Sequence, residues 1–136
     1  MKDPIQISGR VVRGAGYGQA LGFPTANLEQ AAYERLMKKP REGIYAGRAE
    51  LVEENEKYLA AIVIGPKDQN GVPKVEAHLL DYDGSLYGRE LALTLTLYLR
   101  PFKKFGSEAE LKTQIRADVA QAREIGNKIS RPPQAR

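Results

Sequence analysis

The chain has 136 residues, 21 Lys and Arg against 17 Asp and Glu, a net charge of +4 and no cysteine. That length points to one domain with a single core, and the missing thiols exclude disulfides, thiolate catalysis and Cys-ligated metals. The small basic excess lies partly at Lys128, Arg131 and Arg136; it reads as solvated surface suited to a small polyanion rather than as a nucleic-acid face.

No apolar run is long enough for a membrane-spanning helix, and Met1-Lys2-Asp3-Pro4 leads directly into alternating sequence, so a cytoplasmic protein is expected. Ile5 to Val12 predicts a first strand, with Ile5, Ile7 and Gly9 on one face. A glycine-rich loop follows, carrying Gly14, Gly16, Gly18 and Gly22. Leu28 to Lys39 has helical composition, with Leu28, Ala32 and Leu36 at helical spacing and Pro40 as a stop, which predicts a short helix or an ordered loop. Ile44 to Val52 is a second predicted strand, Glu53 to Lys57 a polar turn, and Tyr58 to Ile64 a third strand apolar enough to be buried on both faces.

Gly65 to Pro73 is expected to be a loop around the turn dipeptide Asn70-Gly71. Lys74 to Leu80 predicts a fourth strand, and Asp83-Gly84 in the turn after it is a hairpin signal. Leu91, Leu93, Leu95, Leu97 and Leu99 alternate with Ala92, Thr94, Thr96 and Tyr98, which predicts a long strand with one apolar face, ended by Pro101. Ser107-Glu108-Ala109-Glu110 is a capping box. The helix it opens is expected to reach about Ile125, with Leu111, Ile115, Val119 and Ala122 as its apolar stripe and Gly126 as a C-terminal cap. Residues 1–126 then form the folded unit, and 127–136, with two prolines, a flexible tail. Several strands with short turns and one final helix favour an antiparallel sheet closed into a small barrel, although periodicity is met equally by a sandwich.

Two clusters carry possible chemistry. In the first, the glycines lead into Pro24, Thr25 and Asn27. A hydroxyl and an amide oxygen are neutral ligands that a hard cation accepts beside phosphate oxygens. The same residues would also serve a plain turn between strands. No Gly-Lys-Ser/Thr occurs, so a P-loop mechanism is not expected. In the second cluster, Glu76 and His78 lie two apart on a predicted strand and so share one face. His78 is the only histidine, so no second one exists to complete a His-based metal site.

The segment Leu21-Gly22-Phe23-Pro24-Thr25-Ala26-Asn27-Leu28 resembles the signature of the riboflavin kinases. Further likenesses follow in order: Gly43-Ile44-Tyr45-Ala46, Val75 to Asp81, Leu86-Tyr87-Gly88, Leu99-Arg100-Pro101, Lys104-Phe105 and Glu110-Leu111. Together they span roughly Ile5 to Arg123. The resemblance implies a six-stranded Greek-key barrel with a C-terminal helix, and transfer of the γ-phosphoryl group of ATP to riboflavin. It implies Glu76 as the general base and Thr25 and Asn27 as Mg²⁺ and phosphate residues. It also implies Gly14, Gly16, Gly18, Gly22 and Pro24 around the nucleotide, and Arg100 and Phe105 at the flavin, with Phe102 read as a helix anchor. Riboflavin, FMN, ATP and ADP are the expected ligands of a monomer, with neither nucleic acid nor membrane as partner. The chain shows no HxGH-type motif for a second, adenylyl-transfer step, so FMN is the expected end product. Two departures stand out: Gln19 replaces the Arg usual before Leu-Gly, and Ile64-Gly65-Pro66 continues into Lys67 without the usual Thr. A non-catalytic flavin- or nucleotide-binding barrel is the alternative, and an RNA-binding barrel a weaker one.

Overall fold

The computed structural model describes residues 4–13 and 25–130. Six strands form a closed antiparallel barrel: β1 (Ile5–Val12), β2 (Thr25–Leu28), β3 (Gly43–Leu51), β4 (Glu56–Lys67), β5 (Pro73–Leu79) and β6 (Glu90–Arg100). Helix α1 (Gln30–Glu34) follows β2, and α2 (Glu108–Ser130) closes the described chain. Around the barrel the order is β1-β2-β5-β4-β3-β6. Strands β3, β4 and β5 form a meander and β6 returns beside β3, which is a Greek key.

The interior is filled by the inward faces, with Ile7, Leu51, Ile62, Ile64, Leu91 and Leu93 fully buried. Alternation in β6 holds for Leu91, Leu93 and Leu95 and then breaks. The β3–β6 register shifts twice, between Ala46 and Gly47 and between Ile44 and Tyr45. Thr96 and Leu99 are the extra residues, and such bulges reverse which side chains point inward. Tyr98 therefore packs on the core beside Tyr45, while Leu97 is half exposed. Gly47 sits at the first bulge, where a Cβ would meet the Thr94 carbonyl oxygen at 1.9 Å.

Several further expectations change. The Thr25–Leu28 segment is a strand, and the helix after it is confined to Gln30–Glu34. Pairing with β1 and β5 fixes those four residues, a tertiary constraint that local composition does not carry. Strand β4 continues through Gly65 and Pro66 to Lys67, into the predicted loop. Asp83-Gly84 does not make a hairpin: β5 pairs with β2 and β4, whereas β6 pairs with β1 and β3. The turn dipeptide permits a reversal, but burial of the leucine face of β6 decides the partner. Asn70-Gly71 does turn a hairpin, with Asp68 Oδ1 accepting from the Asn70 and Val72 backbone amides.

Helix α2 covers the outer face of β3 and β4, where Ala46, Ala61 and Ala122 are buried with Leu99, Val119 and Ile125 packed around them. This second layer explains why β4 is apolar on both faces. The cap forms as a variant of the box: Ser107 Oγ accepts from the Glu110 amide at 3.2 Å, and Glu110 Oε2 accepts at 2.7 Å from the amide of Gly106, one residue before the serine. Gly126 is not a cap. The helix runs through it to Ser130, and its missing side chain lets the helix approach Leu59, whose Cδ2 would lie 2.3 Å from a Cβ.

Candidate active site

Alternation along β5 sends Val75, Ala77 and Leu79 into the core and turns Glu76 and His78 outward. On one side, β2 sets Thr25 opposite His78 and Asn27 opposite Glu76. Opposed residues of an antiparallel pair share a face, with Cβ atoms about 4.5–5.5 Å apart. Four polar side chains thus form a compact patch on the outer wall, bordered on the β4 side by Ala61 and Val63. Thr25 Oγ1 and His78 Nδ1 lie 3.2 Å apart, within hydrogen-bond distance.

Burial pushes the His78 imidazole down to about 4, with Asp118 opposing part of that shift. His78 is therefore neutral at pH 7 and acts through hydrogen bonding and packing. Burial raises the Glu76 carboxyl above its ordinary value of 4.5, and the Lys74 ammonium opposes it. A carboxylate with a raised pKa is a better proton acceptor near neutral pH.

A cavity of about 210 Å³ adjoins this patch. Its walls include Glu76 and His78 from β5, Arg100, Phe102 and Phe105 from the end of β6 and the segment after it, and Asp118 from α2. Arg100 is held rigidly: Nε donates to Asp118 Oδ1 at 2.9 Å, Nη2 to Asp118 Oδ2 at 2.7 Å, and Nη1 to the Pro101 carbonyl at 3.0 Å. A second cavity, about 140 Å³, lies on the other side of Asn27 and is lined by Arg13, Glu29 and Lys74 among others.

Glu76, Arg100 and Phe105 thus share one cavity, and Thr25 and Asn27 stand beside it on β2. Phe102 lines that cavity too, its ring so close to Gly65 that a Cβ there would lie 2.9 Å from Cε2. Gly65 and Pro66 also line it, so the departure at that segment falls on the cavity wall. Gly14, Gly16, Gly18, Gly22 and Pro24, like Gln19, lie outside the described residues. Asp118 was not singled out from sequence. Its signal is position: Leu111, Ile115, Asp118 and Ala122 follow helical spacing, so a carboxylate occupies the buried stripe and needs a partner there.

Among the described residues no cluster of three or more His, Cys, Asp or Glu could hold a metal ion. The Thr25 hydroxyl and Asn27 amide are neutral oxygen donors on one face of β2. That set fits Mg²⁺, which keeps several waters and takes phosphate oxygens rather than requiring an all-protein cage.

Residues 1–126 match the flavokinase (riboflavin kinase) family. The chain belongs to the riboflavin kinase family. It is 40% identical over 125 residues to the bifunctional riboflavin kinase/FMN adenylyltransferase of Escherichia coli strain K12, covering 90% of this chain and 38% of that protein. The chain therefore spans about two fifths of the length of such curated relatives. Among solved structures, one described as a macrolide-efflux protein from Streptococcus pneumoniae matches with a TM-score of 0.74 and 28% identity, over 88% of this chain and 38% of that one. The riboflavin kinase of Trypanosoma brucei matches with a TM-score of 0.64 and 23% identity, over 98% of this chain and 94% of that one, a likeness of fold. Membership of the riboflavin kinase family agrees with the closed barrel and C-terminal helix. No helix of the described residues is long and apolar enough to cross a membrane.

Proposed function

We propose that this chain transfers the γ-phosphoryl group of ATP to the 5′-hydroxyl of riboflavin, giving FMN and ADP. The observation that carries the reading is the position of Glu76. It borders a cavity walled by aromatic rings and Arg100, and it stands opposite Asn27, which lines a second cavity that also carries Arg13 and Lys74. A planar ring system fits the first environment and phosphates the second.

In this reading the flavin ring lies among Phe102, Phe105 and Arg100, with its ribityl chain directed toward Glu76. Glu76 accepts a hydrogen bond from the 5′-hydroxyl and takes its proton as that oxygen bonds to the γ-phosphorus. The bond from the γ-phosphorus to the β,γ-bridging oxygen breaks, and ADP leaves. Thr25 and Asn27 would hold Mg²⁺ with the triphosphate, and the ion would supply neutralisation of charge on the phosphate oxygens. His78, neutral and buried, fixes the rotamer of Thr25. The glycines Gly14, Gly16, Gly18 and Gly22, with Pro24, would wrap the nucleotide. In this reading the working unit is a monomer, and the cytoplasm supplies its ATP.

The test is direct. Purified protein is incubated with riboflavin, ATP and Mg²⁺, and FMN is resolved by chromatography. FMN formation that requires all three components supports the reading. Riboflavin binding without FMN would support a non-catalytic flavin-binding barrel instead.

A further inference from the structure

We infer that Asp118 is a positioning residue for ring recognition, because it locks the Arg100 guanidinium at the wall of the cavity that holds Glu76. The inference rests on the proposed riboflavin kinase reading and adds to it a residue that touches no reacting atom. Asp118 is 5% exposed and lies on the helix, whereas Arg100 ends the last strand. The pair makes two parallel hydrogen bonds, at 2.9 and 2.7 Å, a geometry that fixes the guanidinium plane. Gln114, one turn earlier on α2, donates from Nε2 to Asp118 Oδ1 at 3.0 Å and fixes the carboxylate in turn.

The donor inventory gives the lock a purpose. A guanidinium has five N–H groups. Two are taken by Asp118 and one by the Pro101 carbonyl, which leaves two without a partner among the described residues. Both members of the pair line the cavity of about 210 Å³. Held in one plane, the two remaining donors match a ligand that presents carbonyl oxygens at the edge of a flat ring, as the pyrimidine end of a flavin does. An Arg free to rotate would lose rotamer freedom on binding, and the Asp118 lock removes that cost beforehand. The carboxylate also ties α2 to the barrel at the site itself, so the seating of the helix and the orientation of Arg100 are set by the same bonds.

The experiment measures ligand affinity by quenching of flavin fluorescence, on wild type, Asp118→Asn and Gln114→Met. The probes are riboflavin and lumichrome, which has the same carbonyl-bearing ring system without the ribityl chain. The KM for Mg-ATP and kcat are measured alongside. Loss of charge-assisted bonding to Arg100 should weaken both flavins by the same factor, about tenfold to a hundredfold, with the KM for Mg-ATP within about twofold of wild type. Gln114→Met should shift flavin affinity in the same direction by about two- to fivefold. Unchanged lumichrome affinity in a folded Asp118→Asn protein overturns the inference. So does an equal loss for lumichrome and Mg-ATP, since that would mark general loosening. If Asp118→Asn does not fold, Gln114→Met decides, and an unchanged lumichrome affinity there rejects the lock. Failure of the wild type to bind either flavin is a separate outcome that removes the kinase reading itself.

Discussion

Replacing Glu76 by Gln separates what the carboxylate does for the reaction from what it costs the fold. Gln keeps the size and can still accept a hydrogen bond from the ribityl hydroxyl, but it cannot take the proton. General-base assistance contributes about 10²- to 10⁴-fold, or roughly 3–5 kcal/mol of barrier, and turnover should fall by that range with little change in either KM. Stability should move the other way. Burial raises the Glu76 pKa in the folded protein above its ordinary 4.5, so the native state binds this proton more tightly than the unfolded chain does. Its contribution to stability is therefore fully present below about 4.5 and is lost as pH rises through the raised folded value. Gln titrates nowhere in this range. The ligand-free variant should match wild type in melting temperature in acid and exceed it at neutral pH. Asp83→Asn, at an exposed residue of the connection between β5 and β6, is the control and should change neither quantity. Single-turnover FMN formation and melting curves from pH 4 to 8 measure the two effects. Near-normal turnover where chemistry limits the rate would remove Glu76 as the base, and a neutral-pH melting point no higher than wild type would refute the desolvation argument.

Thr25→Val removes a ligand oxygen while keeping shape; calorimetry should show Mg-ATP affinity falling about tenfold or more with the fold intact. Gly126→Leu forces a side chain against Leu59, and denaturant titration should show a loss of about 1–3 kcal/mol from overpacking between helix and barrel. Gly47→Ala is more severe, because the added Cβ meets a backbone oxygen at 1.9 Å rather than a movable side chain. It should leave little folded protein by circular dichroism.

Much of the fold could be read from periodicity, and the exceptions share a cause. The first strand, the capping box and the first half of the leucine alternation are local patterns, and each appears at the expected residues. The half of β6 beyond Leu95 was misleading, because a bulge is a relation between two strands and leaves no trace in one of them. The short β2 was hidden inside a motif that reads as a loop, since four residues are too few to show a period. Gly126 looked like a helix cap because sequence alone does not show that Leu59 stands behind it. At the site, Glu76, Thr25, Asn27, Arg100 and Phe105 emerged from residue type and family likeness. Asp118 did not, although a lone carboxylate within an apolar helical stripe was the available signal.

The two faces of β5 have an evolutionary consequence. Ala77 is fully buried between Glu76 and His78 in sequence, with its neighbours Val75 and Leu79 also in the core. Enlarging any of them would tilt the strand and carry the carboxylate with it, so drift in this strand is restrained from the inside as well as by chemistry. The aromatic wall is less restrained, because Phe102 and Lys103 are exposed and lie in an irregular connection between strand and helix. A laboratory selection for a different acceptor alcohol should therefore accumulate its changes at residues 101–105 and leave 75–79 untouched.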